Sequence, residues 1–163
     1  MKKILSLILA ALTLVSCSAK TEGDPFSELS APFEARVTSV CEGFGSEFVY
    51  DSANSRITFL LPEELCGFSM QKDGGRVTLS YGEVSIELSE YSSRLMRVTE
   101  AVFGASSEEI SDISAREVDG ALLTAVTVGE LEYLFSADGT LKSISGTACG
   151  TELAFTVTEL KRL

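Results

Sequence analysis

Histidine and tryptophan are absent from this chain of 163 residues, and basic residues are few: 13 lysines and arginines stand against 24 aspartates and glutamates. Without histidine the chain cannot hold a Ser-His-Asp hydrolase triad. The net charge of −11 repels nucleic acid, so we expect no nucleic-acid partner. A chain of this length predicts one domain with a core of its own.

Cysteine is scarce, with four residues and no C-x-x-C pair. In the absence of histidine, a zinc site would need three thiolates and a distant carboxylate, so we expect no metal or other cofactor. Cys17 belongs to the N-terminal segment described next. The other three, Cys41, Cys66 and Cys149, leave two alternatives: a disulfide between Cys41 and Cys149, or three free thiols.

The N-terminus has the pattern of a bacterial lipoprotein export signal. Lys2 and Lys3 form its charged region, 4–12 its apolar region, and Leu14-Val15-Ser16-Cys17 its lipobox. The apolar run is shorter than the roughly 20 residues that a membrane-spanning helix needs. We therefore expect residues 1–16 to be removed and Cys17 to be lipidated, which would anchor the protein at the extracytoplasmic face of the cell membrane.

A flexible tether is predicted for residues 17–32, which are small and polar and include two prolines. The domain proper is predicted to span 33–163. It opens with period-two alternation in which Phe33, Ala35 and Val37 share one face, as in a half-buried strand. Further strands are expected near 47–51 and 56–61.

Two-residue turns predict the register of the next strands. A loop at Asp73-Gly74 sets Met70 opposite Val77, and a loop at Gly82-Glu83 sets Tyr81 opposite Val84. The apolar side chains then lie on one face. Cys66 falls beside Tyr81 and Val84 and is expected to point inward.

Three more turns, at 129–130, 138–139 and 149–150, predict a single register in the C-terminal half. They align a row of apolar residues across four strands: Val126, Tyr133, Ile144 and Phe155. Lys142 falls opposite Phe135 and does not fit this face. We expect it at the sheet margin, with its ammonium group in water.

One amphipathic helix is predicted between the two groups of strands. Ser89 is its expected N-cap, Gly104 its end, and its apolar face carries Tyr91, Leu95, Val98 and Val102. A short helical turn is expected at 107–113. The arrangement predicts an α+β fold: a strongly curved antiparallel sheet of about nine strands, a half β-barrel, with one main helix across its concave face.

No motif indicates catalysis. Acidic pairs such as Glu63-Glu64 and Glu108-Glu109 are typical of solvated helix starts and loops rather than of a glycosidase pair. The glycines at 43–45 and 73–75 lack the strand-to-helix context of a phosphate loop and favour hairpin turns. We therefore expect a protein that is not an enzyme and has no catalytic residues.

Several segments together resemble the LolA/LolB-type superfamily of lipoprotein carriers and related surface lipoproteins of mycobacteria and other Gram-positive bacteria. The resemblance rests on the lipobox 14–17, the opening strand 32–37, the segment 57–68 and the hairpin 76–82. It implies a half-barrel whose concave apolar face, partly covered by helices, holds acyl chains.

Two functions follow as hypotheses. The first is an envelope lipoprotein that binds a lipid or another apolar ligand, with these ligand-binding side chains: Tyr81, Tyr91, Leu95, Val98, Tyr133 and Phe155. The second is a non-catalytic interaction or sensor module that binds an envelope protein through its acidic outer surface or a sheet edge. An apolar cavity of roughly 300 Å³ or more would favour the first.

Overall fold

A computed structural model of the chain describes residues 24–88 and 93–163. Within these residues, eleven strands form one antiparallel sheet and a single α-helix, α1 (Arg94–Phe103), packs on it. The strands are β1 (Phe33–Cys41), β2 (Phe44–Asp51), β3 (Arg56–Leu61), β4 (Ser69–Asp73), β5 (Arg76–Tyr81), β6 (Val84–Leu88), β7 (Ile110–Val118), β8 (Ala121–Val128), β9 (Leu131–Phe135), β10 (Leu141–Ala148) and β11 (Thr151–Arg162).

The strand order is β6-β5-β4-β3-β2-β1-β11-β10-β9-β8-β7, so two meanders meet where β1 pairs with β11. The sheet is open, with β6 and β7 at its two edges. The chain must therefore pass from one edge to the other between these strands, and α1 lies on that passage.

The predicted count of about nine strands is wrong because part of the chain was assigned to a helical turn. The turn occupies only Ser107–Glu109, where Ser106 and Glu109 form a capping box. From Ile110 the chain is the edge strand β7, paired with β8. Most β7 side chains are exposed on both faces, so the strand lacks the apolar alternation that would have identified it.

In the N-terminal meander the predicted inward face is confirmed, since Phe33, Ala35 and Val37 are buried. The pairing of Tyr81 with Val84 is also confirmed. One register is wrong: Asp73 pairs with Arg76, so the loop is Gly74-Gly75 and the strands are offset by two residues from the prediction.

Each side chain still lies on the predicted face of the sheet, because side chains alternate with a period of two and the offset is two residues. Met70 lies opposite Leu79 instead of Val77, and both are inward positions. Phe68 now stacks on Tyr81, with ring centroids 4.6 Å apart.

The predicted row of the C-terminal meander is confirmed in full. Val126 pairs with Tyr133, Tyr133 with Ile144, and Ile144 with Phe155. Lys142 is accommodated by a β-bulge: Leu141 takes the position opposite Phe135 and is buried, while the lysine is exposed.

Helix α1 lies on the apolar face of the sheet. At its C-terminal end Phe103 packs on Phe33 and Tyr50, and the Tyr133 hydroxyl donates a hydrogen bond of 2.8 Å to the Val102 carbonyl. The helix ends at Gly104, as predicted; a Cβ there would lie 2.7 Å from the Glu100 carbonyl oxygen. The predicted N-cap Ser89 lies outside the described residues, and Ser93 precedes the helix.

Residues 24–32, which belong to the expected tether, pack on the domain. Phe26 is buried and meets the rings of Tyr133 and Phe135 edge to face, at centroid distances of 5.0 and 5.8 Å. The packed chain therefore begins ahead of Phe33. Every core side chain of the described residues lies at or after Phe26.

Candidate functional site

A cavity of about 220 Å³ lies between the first turns of α1 and one end of the sheet. This end carries the β1–β2 turn and the start of β11. The cavity opens to solvent on one side. Its lining residues are Ser39, Cys41, Glu42, Phe44, Ser46, Phe59, Leu65, Met70, Arg94, Leu95, Val98 and Thr151.

The space exists because small side chains take inward positions at this end of the sheet. Ser39 of β1 lies opposite Phe155 of β11, and Ser46 of β2 lies opposite Ser39. Both serines are buried. Their hydroxyl oxygens lie 2.7 Å apart and share a hydrogen bond. Because each satisfies the other, the floor presents little unmet polarity to the cavity.

The walls are apolar. Phe59 and Met70 come from β3 and β4, and a 3₁₀ turn at Glu63–Leu65 adds Leu65. Leu95 and Val98 form the roof, and both lie on the face of α1 that meets the sheet. Burying an apolar group against such walls is favoured by about 25 cal/mol for each Å² removed from water.

An ion pair stands at the mouth. Arg94 Nη1 lies 2.5 Å from Glu42 Oε1, and about half of each side chain is exposed. Arg94 is the first residue of α1, so its positive charge adds to the positive end of the helix dipole. Glu42 lies in the β1–β2 turn with φ +49°.

Thr151 adds a polar atom without a partner. The residue is only 2% exposed, lines the cavity, and its Oγ1 has no hydrogen-bond partner among the described residues. It lies beside the mouth, since the Glu42 N–H donates to the carbonyl of the next residue, Glu152, at 3.3 Å. A buried hydroxyl left unpaired costs about 1–3 kcal/mol.

The three described cysteines are free thiols, so of the two alternatives the Cys41–Cys149 disulfide is not formed. Cys41 lines the cavity, and burial raises the pKa of its thiol, with the negative charge of Glu42 as a smaller contribution. Cys66 is exposed, so the prediction that it points inward is wrong. The Gly67–Phe68 segment that follows it approaches Tyr81 instead.

The six predicted ligand-binding residues do not come together. Leu95 and Val98 line the cavity, whereas Tyr133 and Phe155 lie in the closed core. Tyr81 is 55% exposed, near the free end of the β5–β6 hairpin. Tyr91 and the lipidation residue Cys17 lie outside the described residues.

Sequence reasoning missed the mouth residues Arg94 and Glu42 and the polar floor residues Ser39, Ser46 and Thr151. A usable signal was present for the serines. Both stand at inward positions of alternating strands, where a large apolar side chain is usual, and two facing small residues leave room.

Two further cavities have a different character. One, of about 240 Å³, lies between the N-terminal segment and the end of α1, next to Phe26 and Phe103, and its lining includes several polar groups. The other, of about 490 Å³, is a wide depression near Thr38 and Leu61.

In residues 24–88 and 93–163 no three potential ligands cluster as a metal site, and no helix is long and apolar enough to cross a membrane.

No protein-family model and no curated protein sequence matches the chain significantly. Several solved structures do match the chain. Mycobacterium tuberculosis lipoprotein LppX matches with a TM-score of 0.48 and 10% identity, over 84% of this chain and 91% of that one. LprF from Mycobacterium bovis matches with a TM-score of 0.46 and 6% identity, over 85% and 90%.

A LolA superfamily protein from Nitrosomonas europaea matches with a TM-score of 0.38 and 9% identity, over 86% of this chain and 94% of that one. The solved structures that match thus include a LolA superfamily protein and mycobacterial lipoproteins, the kinds of protein named in the predicted resemblance. At these identities and TM-scores the matches assign no residue role to this chain.

Proposed function

We propose that this chain is a membrane-anchored lipoprotein of the bacterial cell envelope that binds an apolar ligand without catalysis. The ligand site is the 220 Å³ cavity under the N-terminal half of α1, on what we take to be the concave face of a half-barrel. The observation that carries the proposal is the apolar wall: Phe59, Met70 and Leu95 line space that other side chains leave empty.

The size of the cavity limits the ligand. At about 220 Å³ the cavity does not reach the roughly 300 Å³ expected of a lipid-binding chamber, so the proposed ligand is a single slender chain rather than a lipid with several acyl chains. Its open side leaves the other end of the ligand at the mouth, beside Arg94 and Glu42.

Binding of a fluorescent acyl probe tests this proposal. The protein should begin at Ser18, which keeps every described residue, and its folding should be checked by circular dichroism. We expect saturable binding at micromolar probe. Leu95→Ala widens the cavity and should change the dissociation constant severalfold, by roughly the free energy of one or two buried methylenes.

Glu34→Gln is the matched control, because Glu34 is an exposed side chain on the opposite face of β1. It should leave probe affinity unchanged. Absence of saturable binding by the unaltered protein would contradict the proposed ligand site.

Anchoring is a separate part of the proposal. Acyl chains on Cys17 would hold the protein at the membrane, and Cys17→Ala removes the sulfur that carries them. We expect the variant to lose incorporation of a labelled fatty acid and to leave the membrane fraction. A Cys17→Ala protein that is still acyl-labelled and membrane-bound would contradict this.

A second candidate function, binding of an envelope protein at a sheet edge, is favoured by the β5–β6 hairpin. Edge strand β6 exposes the side chains of Val84 and Ile86, and its outer backbone edge pairs with no further strand of the described residues. Native mass spectrometry of protein purified from its own host separates the two functions. A copurifying small amphiphile supports the cavity, and a stoichiometric protein partner supports the edge.

A further inference from the structure

We propose that the ligand is a fatty acid with one chain of medium length, and that its carboxylate replaces that of Glu42 on Arg94 while its tail fills the cavity. This inference rests on the proposed function and adds the chemical class of the head group. It depends on the charges and the unpaired hydroxyl at the mouth.

The position for a carboxylate already exists. Glu42 places one 2.5 Å from the Arg94 guanidinium, directly at the opening of the cavity. A guanidinium matches a carboxylate with two parallel N–H groups, so a ligand carboxylate would find the same geometry. Because both side chains are about half exposed, their ion pair is weak and is easily exchanged.

The fixed charges at the mouth favour an anion over a cation. Arg94 and the positive end of the α1 dipole both belong to the helix, whose first turn carries no acidic residue. Among the described residues of the cavity lining, Glu42 is the only anionic side chain, and it lies in a turn from which it can move into water. A ligand ammonium group would have to sit against Arg94, whereas a ligand carboxylate only displaces Glu42.

Thr151 supplies independent support for a polar ligand atom here. The residue lines the cavity, and its Oγ1 is almost fully buried and lacks a partner among the described residues. It lies at the first position of β11, next to the Glu42 backbone. A carboxylate held by Arg94 could accept a hydrogen bond from this hydroxyl and would satisfy it.

The volume sets the length of the tail. A cavity of 220 Å³ lined by Phe59, Met70 and Val98 encloses one chain and leaves the head outside the apolar walls. Long or branched lipids would leave much of their apolar surface in water. Decanoate is therefore a suitable probe, with decanol and decylammonium as matched neutral and cationic probes.

Isothermal titration of the protein that begins at Ser18 tests the head group. We expect decanoate to bind more tightly than decanol and decylammonium. Arg94→Met should weaken decanoate binding by about fivefold to tenfold, the range for losing a charge-assisted contact, and should leave decanol binding unchanged. Glu42→Gln should instead tighten decanoate binding by about twofold to fivefold, because the competing carboxylate is gone.

Arg116→Met is the control for loss of a positive charge, since Arg116 pairs with Glu132 on the β7–β9 side of the sheet and does not line the cavity. It should leave all three affinities unchanged. Equal binding of decanol and decanoate, or tighter binding of decylammonium, would overturn the head-group assignment while the proposed apolar site stands. Failure of all three probes to bind would overturn both.

Discussion

The two ends of α1 lie over the same apolar face of the sheet, yet they pack on the strands differently. At the C-terminal end, the filled end, aromatic rings occupy the space between helix and strands, and the 240 Å³ cavity there lies beside the N-terminal segment instead. At the N-terminal end, the open end, a cavity separates the helix from the strands. Under the C-terminal end, the ring of Phe103 packs on that of Phe155, with 6.4 Å between the ring centroids, and stacks on that of Tyr50, with 5.4 Å between the centroids. Under the N-terminal end, the neighbouring inward positions of β1 and β2 hold Ser39 and Ser46. The same strands thus pass from aromatic to small side chains within one helix length.

Burial does not distinguish the two ends. Ser39 and Phe155 pair directly and are each 1% exposed. Side-chain volume distinguishes them, because a serine under a helix leaves space that a phenylalanine fills. A ligand site can therefore form where small side chains take the inward positions of an alternating sheet.

The largest effect should come from emptying the filled end. Phe155 contacts the rings of Phe48 and Phe103, so Phe155→Ala removes a ring from a closed core. We expect a loss of about 3–5 kcal/mol in the free energy of unfolding, measured by urea denaturation. Thr156→Ala, one residue along on the exposed face, should change it by no more than about 0.5 kcal/mol.

If Thr156→Ala proves the more damaging substitution, the register of β11 is displaced by one residue. Equal effects would mean that Phe155 does not lie in a closed core. Either result would break the comparison.

A smaller effect should come from the polar contact at the filled end. Tyr133→Phe removes the hydrogen bond to the Val102 carbonyl, which should cost about 1 kcal/mol at neutral pH. Burial, with a smaller contribution from the charge of Glu109, holds the pKa of Tyr133 well above its ordinary value. Burial likewise raises the pKa of Tyr50 to about 12.

The folded state therefore binds these phenolic protons more tightly than the unfolded state does. Their contribution to stability is fully present below the ordinary tyrosine pKa of about 10 and is lost as pH rises above it. We expect the free energy of unfolding to fall above about pH 10, and to fall less steeply in Tyr133→Phe. An unchanged alkaline slope in that variant would place the Tyr133 hydroxyl in water.

Turn chemistry made much of the sheet predictable. Glycine-containing two-residue loops predicted the pairings of Val126 with Tyr133 and of Tyr81 with Val84, because a tight loop leaves one register. The pairing of Tyr133 with Ile144 was also right, although the loop there holds three residues, because the bulge at Lys142 compensates for the extra one. The β7–β8 hairpin had the same kind of signal at Asp119-Gly120, where both residues have positive φ. The hairpin was nevertheless missed, because the exposed side chains of β7 show no apolar alternation.

Features that depend on tertiary packing were not predictable. The burial of Phe26 arises from contacts between segments that are distant in the sequence. The candidate site was predicted in part: Leu95 and Val98 follow from helical spacing. Arg94 and Thr151 line the same cavity only because the helix start lies over one particular end of the sheet.

The smallest effect should come from Thr151 at the open end. Thr151→Val keeps the shape of the side chain and removes a buried hydroxyl that has no partner in the described structure. The free energy of unfolding of the ligand-free protein should stay level or rise by up to about 1 kcal/mol, because the desolvation cost disappears. Thr156→Val is the control, since it makes the same change at an exposed position of the same strand. A loss of 1 kcal/mol or more at Thr151 alone would mean that its hydroxyl is already paired in solution, and that the open end is less empty than its side chains imply.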